Sequence, residues 1–168
     1  AIEICLSSGV PILLSSRYGI ELKTWGLLGN AFFFIAILIG RFLGSIILNW
    51  AKPAVFFRAT VIASIIGIGL IFANNQIVTI AGIFITGLGF ANIFPLIFSI
   101  TIDAMPERSN EISGLMVTAI AGGAFIPPIM GFIADKTTVL GGFVVPLIGL
   151  IFVSLLAFTR ASRLSTEK

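Results

Sequence analysis

Polar residues inside long apolar runs are the first candidates for chemistry in this 168-residue chain. Glu3 and Ser7 are four residues apart, so one helix face would carry both. Asn92 would share a face with Pro95 and offers an amide that both donates and accepts hydrogen bonds. We predict that Glu3, Ser7 and Asn92 line a ligand cavity. An ion-pairing role for Glu3 and an interhelical hydrogen bond for Asn92 are the alternatives.

Arg41 interrupts a second apolar run, about nine residues from its end. A guanidinium at that depth can reach part of the way to the membrane surface along its own stem. It can also pair with a carboxylate, since charges inside a membrane usually pair. We therefore predict a structural salt bridge between Arg41 and Asp103 rather than contact with a ligand.

The remaining residue types exclude several classes of chemistry. The chain has no His and a single Cys, Cys5, so it lacks the usual general base and imidazole metal ligand and cannot form an internal disulfide. Its two Asp residues, Asp103 and Asp135, lie in the loops between apolar runs, which excludes a paired intramembrane carboxylate. We expect no catalytic residues, no metal site, no cofactor and no enzymatic activity.

The apolar composition defines the elements that must position these residues. Hydrophobic residues make up 58% of the chain and charged residues 10%, with a mean hydropathy of +1.16, whereas soluble domains hold roughly 45–50% and about 25%. Such a chain requires a bilayer as solvent, and about 20 apolar residues span it as a helix. We predict an all-α bundle of six transmembrane helices, over residues 1–16, 27–50, 59–73, 77–102, 112–133 and 143–159, with membrane lipid as its surroundings.

Proline and glycine interrupt several of these predicted spans. Each proline inside a helix removes a backbone hydrogen bond and frees a carbonyl, which the membrane tolerates only beside protein or a wet cavity. We predict helix breaks or hinges at six positions, with a packing kink as the alternative: Pro11, Pro95, Gly122, Gly123, Pro127 and Pro128.

The loop charges predict the orientation. Cytoplasmic loops carry an excess of Lys and Arg. One side of the predicted bundle holds Lys52, Arg58, Arg108, Arg160, Arg163 and Lys168, and the other holds Arg17, Lys23 and Lys136. We therefore expect the C-terminus in the cytoplasm and the bundle in a bacterial-type inner membrane. The net charge of +3 reflects this topology, and no basic run indicates a nucleic-acid partner.

Three segments together resemble a known family of transporters. They are Gly40-Arg41-Phe42-Leu43-Gly44, the stretch from Gly87 to Ser99 (GLGFANIFPLIFS), and the stretch from Gly122 to Gly131 (GGAFIPPIMG). In order and spacing they are similar to the L-fucose permease-like branch of the major facilitator superfamily. The resemblance covers nearly the whole chain and identifies it as the C-terminal six-helix half of a twelve-helix fold, with the N-terminal half missing.

The resemblance implies proton-coupled symport of a monosaccharide by alternating access. Glu3 would be the acidic residue that the family often keeps in helix seven, while its proton-carrying carboxylates lie mainly in the N-terminal half. Ile93-Phe94 stands where the fucose permease pattern has Gln-Tyr before the helix-ten proline, and Phe94 is a further cavity candidate. The alternatives are a facilitator of another small organic solute or drug, and a non-transporting membrane subunit.

Overall fold

The computed structural model describes residues 1–21 and 27–159, and all regular structure in these ranges is helical. The all-α prediction is confirmed. The helices are α1 (Ile2–Tyr18), α2 (Leu27–Ile47), α3 (Pro53–Ile71), α4 (Gln76–Phe90), α5 (Ile93–Ala104), α6 (Ser109–Ala121), α7 (Ile126–Lys136), α8 (Val139–Gly142) and α9 (Val144–Thr159).

Five helical segments of the described ranges are long and apolar enough to cross a membrane. They are Gly29–Ile47, Pro53–Ile71, Gln76–Ala104, Pro106–Lys136 and Val139–Thr159. α1 has 17 residues and so spans about 26 Å, slightly less than the ~30 Å thickness of the hydrocarbon core.

The third span begins earlier than predicted. α3 starts at Pro53 rather than at residue 59, with Pro53 in its first turn. Proline favours this position because its fixed φ suits a helix and the N–H it lacks would have no helical partner there. The helix therefore includes Arg58, whose Nε donates to the Ala157 carbonyl of α9 at 3.3 Å.

The fourth and fifth spans are interrupted, each at a proline or glycine segment. Residues 91–92 form a turn between α4 and α5, which points to a break just before Pro95. A 3-10 turn at Gly122–Ala124 separates α6 from α7. Pro127 and Pro128 then lie in the first turn of α7, where a missing N–H costs little.

Pro11 does not break its helix, contrary to the prediction. α1 continues through Pro11 to Tyr18. The residues around it, Val10, Leu13 and Leu14, are buried against the rest of the bundle. Their packing holds the helix together across the one hydrogen bond that proline removes.

The most extensive helix packing is between α3 and α4, with α2 against α4 and α9 against α3, and glycine allows α3 and α4 to approach closely. A Cβ added at Gly82 of α4 would lie 2.7 Å from the Gly67 carbonyl of α3. The buried hydroxyl groups at this contact bond within their own helices, as Ser64 does to the Thr60 carbonyl at 2.9 Å. Small residues are the usual means by which membrane helices pack, because lipid supplies no hydrophobic force between them.

Candidate functional site

A cavity with charged residues in its lining, among the described residues, has a volume of about 760 Å³. Its walls come from the start of α1, from α2, from the α4–α5 break and from α6. The lining residues are Ala1, Glu3, Ile4, Arg41, Phe90, Ala91, Phe94, Pro95, Ala119 and Ile120. The cavity thus lies at the interrupted fourth span and beside the last turn of α6, just before the break of the fifth span.

Glu3 and Arg41 reach this cavity at the same depth. Glu3 precedes the end of α1 at Tyr18 by 15 residues, and Arg41 follows the start of α2 at Leu27 by 14. Since these consecutive helices run in opposite directions, both residues lie about 21–22 Å from the same end of the bundle. A carboxylate and a guanidinium therefore line one cavity within the membrane-spanning region.

The two charged groups are separated rather than paired. No nitrogen of Arg41 lies within 4.0 Å of a Glu3 oxygen; the ion pair that the described residues form at that distance is Arg108–Glu111, at 3.2 Å. Both residues line the same cavity, so each offers its charge to a ligand bound there.

Aromatic side chains supply the apolar part of the lining. Phe90 is the last residue of α4 and Phe94 is the second residue of α5, so the two rings flank the helix break. The Phe94 side chain is 43% exposed and lies with its ring centroid 6.2 Å from that of Phe98. Apolar and aromatic walls with a few polar groups are typical of small-molecule sites, and aromatic faces accept the apolar face of a flat or ring-shaped ligand.

Asn92 does not line this cavity. Its amide is buried, at 6% exposure, and its Nδ2 donates to the Gly40 carbonyl of α2 at 2.7 Å. The side chain borders a smaller pocket of about 240 Å³ between α2, α3 and α4. The interhelical alternative therefore describes Asn92 in this structure better than the cavity prediction does.

The expected common face of Asn92 and Pro95 fails for a local reason. Residues 91–92 form a turn, and α5 begins only at Ile93. Helical periodicity places residues i and i+3 on one face only where the helix is continuous. Pro95 consequently lines the large cavity, while Asn92 points into the contact between helices.

Ser7 uses its hydroxyl within its own helix. Its Oγ donates to the Ile4 carbonyl at 3.1 Å, and Ser7 is absent from the lining of the 760 Å³ cavity. Serine hydroxyls commonly bond back to the preceding turn in this way. Of the four predicted cavity residues, the structure thus brings Glu3 and Phe94 together and leaves Ser7 and Asn92 outside.

The predicted salt bridge between Arg41 and Asp103 is not formed. Asp103 is exposed near the end of α5, and its Oδ2 accepts a hydrogen bond from Ser99 at 3.4 Å. Asp103 is eleven residues past the α4–α5 break, far along the helix from the level of Phe94. Arg41 instead faces the cavity that holds Glu3.

Sequence reasoning missed Phe90, Ala119 and Ile120 as lining residues, and it missed the role of Arg41 in the cavity. A signal for Arg41 was present: counting residues from the linker between the first two spans places it at the depth of Glu3. No comparable signal marks Ala119 or Ile120, because their contribution depends on how α6 packs against α5.

The chain belongs to the Major Facilitator Superfamily, whose sequence pattern it matches over residues 2–168. This agrees with the bundle of apolar helices and with the three segments that carry the resemblance. No solved structure matches the chain significantly.

Curated relatives of the chain are named as sugar transporters. The chain is 36% identical over 104 residues to the "Putative glucose/galactose transporter" of Helicobacter pylori, covering 60% of this chain and 25% of that protein. Identity to the glucose/galactose transporter of Brucella abortus is 27% over 118 residues, with coverages of 70% and 29%. For the L-fucose-proton symporter of Haemophilus influenzae it is 29% over 143 residues, with coverages of 77% and 32%. The chain spans about a quarter to a third of the length of these curated relatives.

Proposed function

We propose that the chain is part of a proton-coupled transporter of a hexose-type monosaccharide in the cytoplasmic membrane. The observation that carries this proposal is the cavity at membrane depth, with Glu3, Arg41 and Phe94 in its walls, in a chain of a transporter superfamily. The names of the relatives, which include glucose, galactose and fucose, support the sugar class. The role is transport rather than catalysis.

The groups in the cavity suit a sugar. Each sugar hydroxyl can donate and accept, so a carboxylate such as Glu3 can accept from it and a guanidinium such as Arg41 can donate to it. The ring of Phe94 would cover the apolar C–H face of the pyranose, as aromatic rings do for apolar ligand surfaces. Sugar binding would then draw on groups from α1, α2 and α5 at once.

The interrupted spans beside the cavity supply the moving parts of the proposed mechanism. Alternating access in transporters of this type comes from the rocking of one bundle against another around a site near the midplane. We place the second bundle in an N-terminal six-helix half of the same protein, and the C-terminus in the cytoplasm. Gly122, Gly123, Pro95, Pro127 and Pro128 would allow the helices at the cavity to bend, since broken helices border such sites.

Uptake by the full-length protein in proteoliposomes tests this proposal. We expect saturable uptake of labelled glucose or galactose that rises when the outside is made acidic and that collapses with a protonophore. Glu3→Gln should reduce hexose affinity, because one hydroxyl acceptor becomes a weaker amide. The matched control is Glu111→Gln, which removes a carboxylate from the exposed Arg108–Glu111 pair and should leave uptake unchanged.

Two results would contradict the proposal. Uptake of an unrelated organic solute or drug, with no competition by hexoses, would assign the cavity to another cargo. Hexose binding without any transport under a proton gradient would favour a non-transporting membrane subunit.

A further inference from the structure

Arg41 differs from the other arginines that the structure describes, because it has no hydrogen-bond or ion-pair partner among the described residues. Arg17 donates to the Ile71 carbonyl, Arg58 to the Ala157 carbonyl, and Arg108 pairs with Glu111. Arg41 makes no hydrogen bond or ion pair with any described residue, although it faces a cavity inside the apolar zone. A guanidinium is charged at all physiological pH values, and an unpaired charge in the membrane marks a functional site.

The described residues contribute one side chain of each charge to the cavity. Glu3 and Arg41 are its charged residues, and the other eight lining residues are apolar or small. Neither charged group is paired within 4.0 Å, so the carboxylate and the guanidinium face the cavity without neutralising each other by contact. The negative charge of Glu3 and the positive charge of Arg41 together give these lining side chains a net charge of zero.

We propose that Glu3 and Arg41 act together as a filter for the charge of the substrate, which admits neutral sugars and excludes sugar acids and protonated amino sugars. This inference rests on the proposed function. A neutral sugar can bridge the two groups through its hydroxyls, which donate to one and accept from the other. A charged sugar is attracted to one group and repelled by the other. The net electrostatic attraction therefore does not offset the free energy that the sugar loses when its charge leaves water.

The proposal predicts reciprocal changes of selectivity. In Glu3→Gln the positive charge of Arg41 loses its counterpart on this chain, so a hexuronic acid should compete with labelled hexose roughly tenfold better relative to neutral hexose than in the wild type. In Arg41→Gln the Glu3 carboxylate loses its counterpart on this chain, so protonated glucosamine should compete better by a similar factor. The double variant Glu3→Gln, Arg41→Gln lacks both of these charges and should prefer neutral sugar again.

The measurement is equilibrium competition on the purified full-length protein, with glucuronate and glucosamine as charged probes and glucose as the neutral one. The matched controls are Glu111→Gln and Arg108→Gln, which make the same changes in the exposed pair and should not alter selectivity. Where a variant binds no labelled hexose, a thermal shift on adding the charged probe replaces competition.

The inference is overturned if both single variants keep the wild-type preference for neutral sugar, or if they lose hexose binding without gaining a thermal shift from the oppositely charged probe. A single variant whose affinity rises for the probe that has the same charge as the remaining residue, Arg41 or Glu3, would also overturn it. Failure of the proposed function is a different result, namely a wild-type protein that neither binds nor transports any hexose.

Discussion

The Asn92 side chain of the α4–α5 turn donates a 2.7 Å hydrogen bond to the Gly40 carbonyl of α2. Gly40 directly precedes Arg41, and Asn92 lies two residues before Phe94. The bond thus joins two walls of the 760 Å³ cavity at a point just outside it. It forms at the turn between α4 and α5, where Asn92 has φ −107° and ψ −1°, so a side chain of the turn connects the fourth span to α2.

Asn92→Ala should therefore lower stability more than it lowers sugar affinity. Loss of the bond is expected to cost about 1–2 kcal/mol, visible as a lower unfolding temperature of the detergent-solubilised protein. Asn110→Ala, an exposed site on α6, is the control and should unfold at the wild-type temperature. A large loss of hexose affinity at an unchanged unfolding temperature would instead support the ligand-binding role that was predicted from the residue type and spacing of Asn92.

Gly40→Ala should destabilise the contact between α2 and the end of α4. A Cβ at this position would lie 2.6 Å from the Leu88 carbonyl oxygen and 2.8 Å from the Ala91 Cβ, so the two helices must move apart. Overpacking of this kind costs about 1–3 kcal/mol.

Gly69→Ala is the matched control for Gly40, because no atom lies within 4 Å of the position that its added methyl group would take on α3. Alanine favours helix over glycine by up to about 1 kcal/mol, so this variant should unfold at the wild-type temperature or slightly above. Equal unfolding temperatures for the two alanine variants would contradict the close approach of α2 and α4.

Arg17→Gln should loosen the end of the bundle at which α1 finishes. The Arg17 guanidinium donates to the Ile71 carbonyl at 3.1 Å and to the Asn74 Oδ1 at 3.3 Å, which satisfies a carbonyl at the end of α3. We expect a loss of about 1–2 kcal/mol in thermal unfolding. The control is Lys136→Gln, which removes a cation at the end of α7 whose Nζ lies 6.0 Å from the Phe132 ring, and it should have a smaller effect. Equal losses of stability in the two variants would contradict a stabilising role for the Arg17 hydrogen bonds.

The orientation can be checked by labelling single cysteines from outside intact cells. Cys5 is buried, and Cys5→Ser removes it as a background. Cysteines placed at Ala51 and at Thr138 are separated by three membrane crossings, through α3, α4–α5 and α6–α7. We expect only the Thr138 site to react with a membrane-impermeant maleimide, because the Lys and Arg excess predicts that Ala51 faces the cytoplasm. Reaction at Ala51 alone would reverse the orientation, and reaction at both would contradict the crossing count.

The sequence by itself determined the solvent, the fold class and the interruptions of the spans. Continuous apolar runs long enough to enter a bilayer allow only helices there, because every backbone group must bond internally. Pro95 and the Gly122–Pro128 segment marked the broken spans for the same reason, since proline cannot continue the hydrogen-bond ladder. The cost of a carboxylate in lipid made Glu3 a site candidate from its position in the chain alone.

Only the tertiary structure decided which groups meet. Residue spacing gives the depth and face of a side chain within one helix, but it does not say which face of another helix lies opposite. The sequence therefore allowed a predicted salt bridge between Arg41 and Asp103, whereas the packing of α2 against α1 places Arg41 in the same cavity as Glu3. Asn92 is likewise buried while Pro95 is exposed, because the backbone at the α4–α5 turn, with φ −107° and ψ −1° at Asn92, departs from the regular α-helical dihedral angles that periodicity assumes.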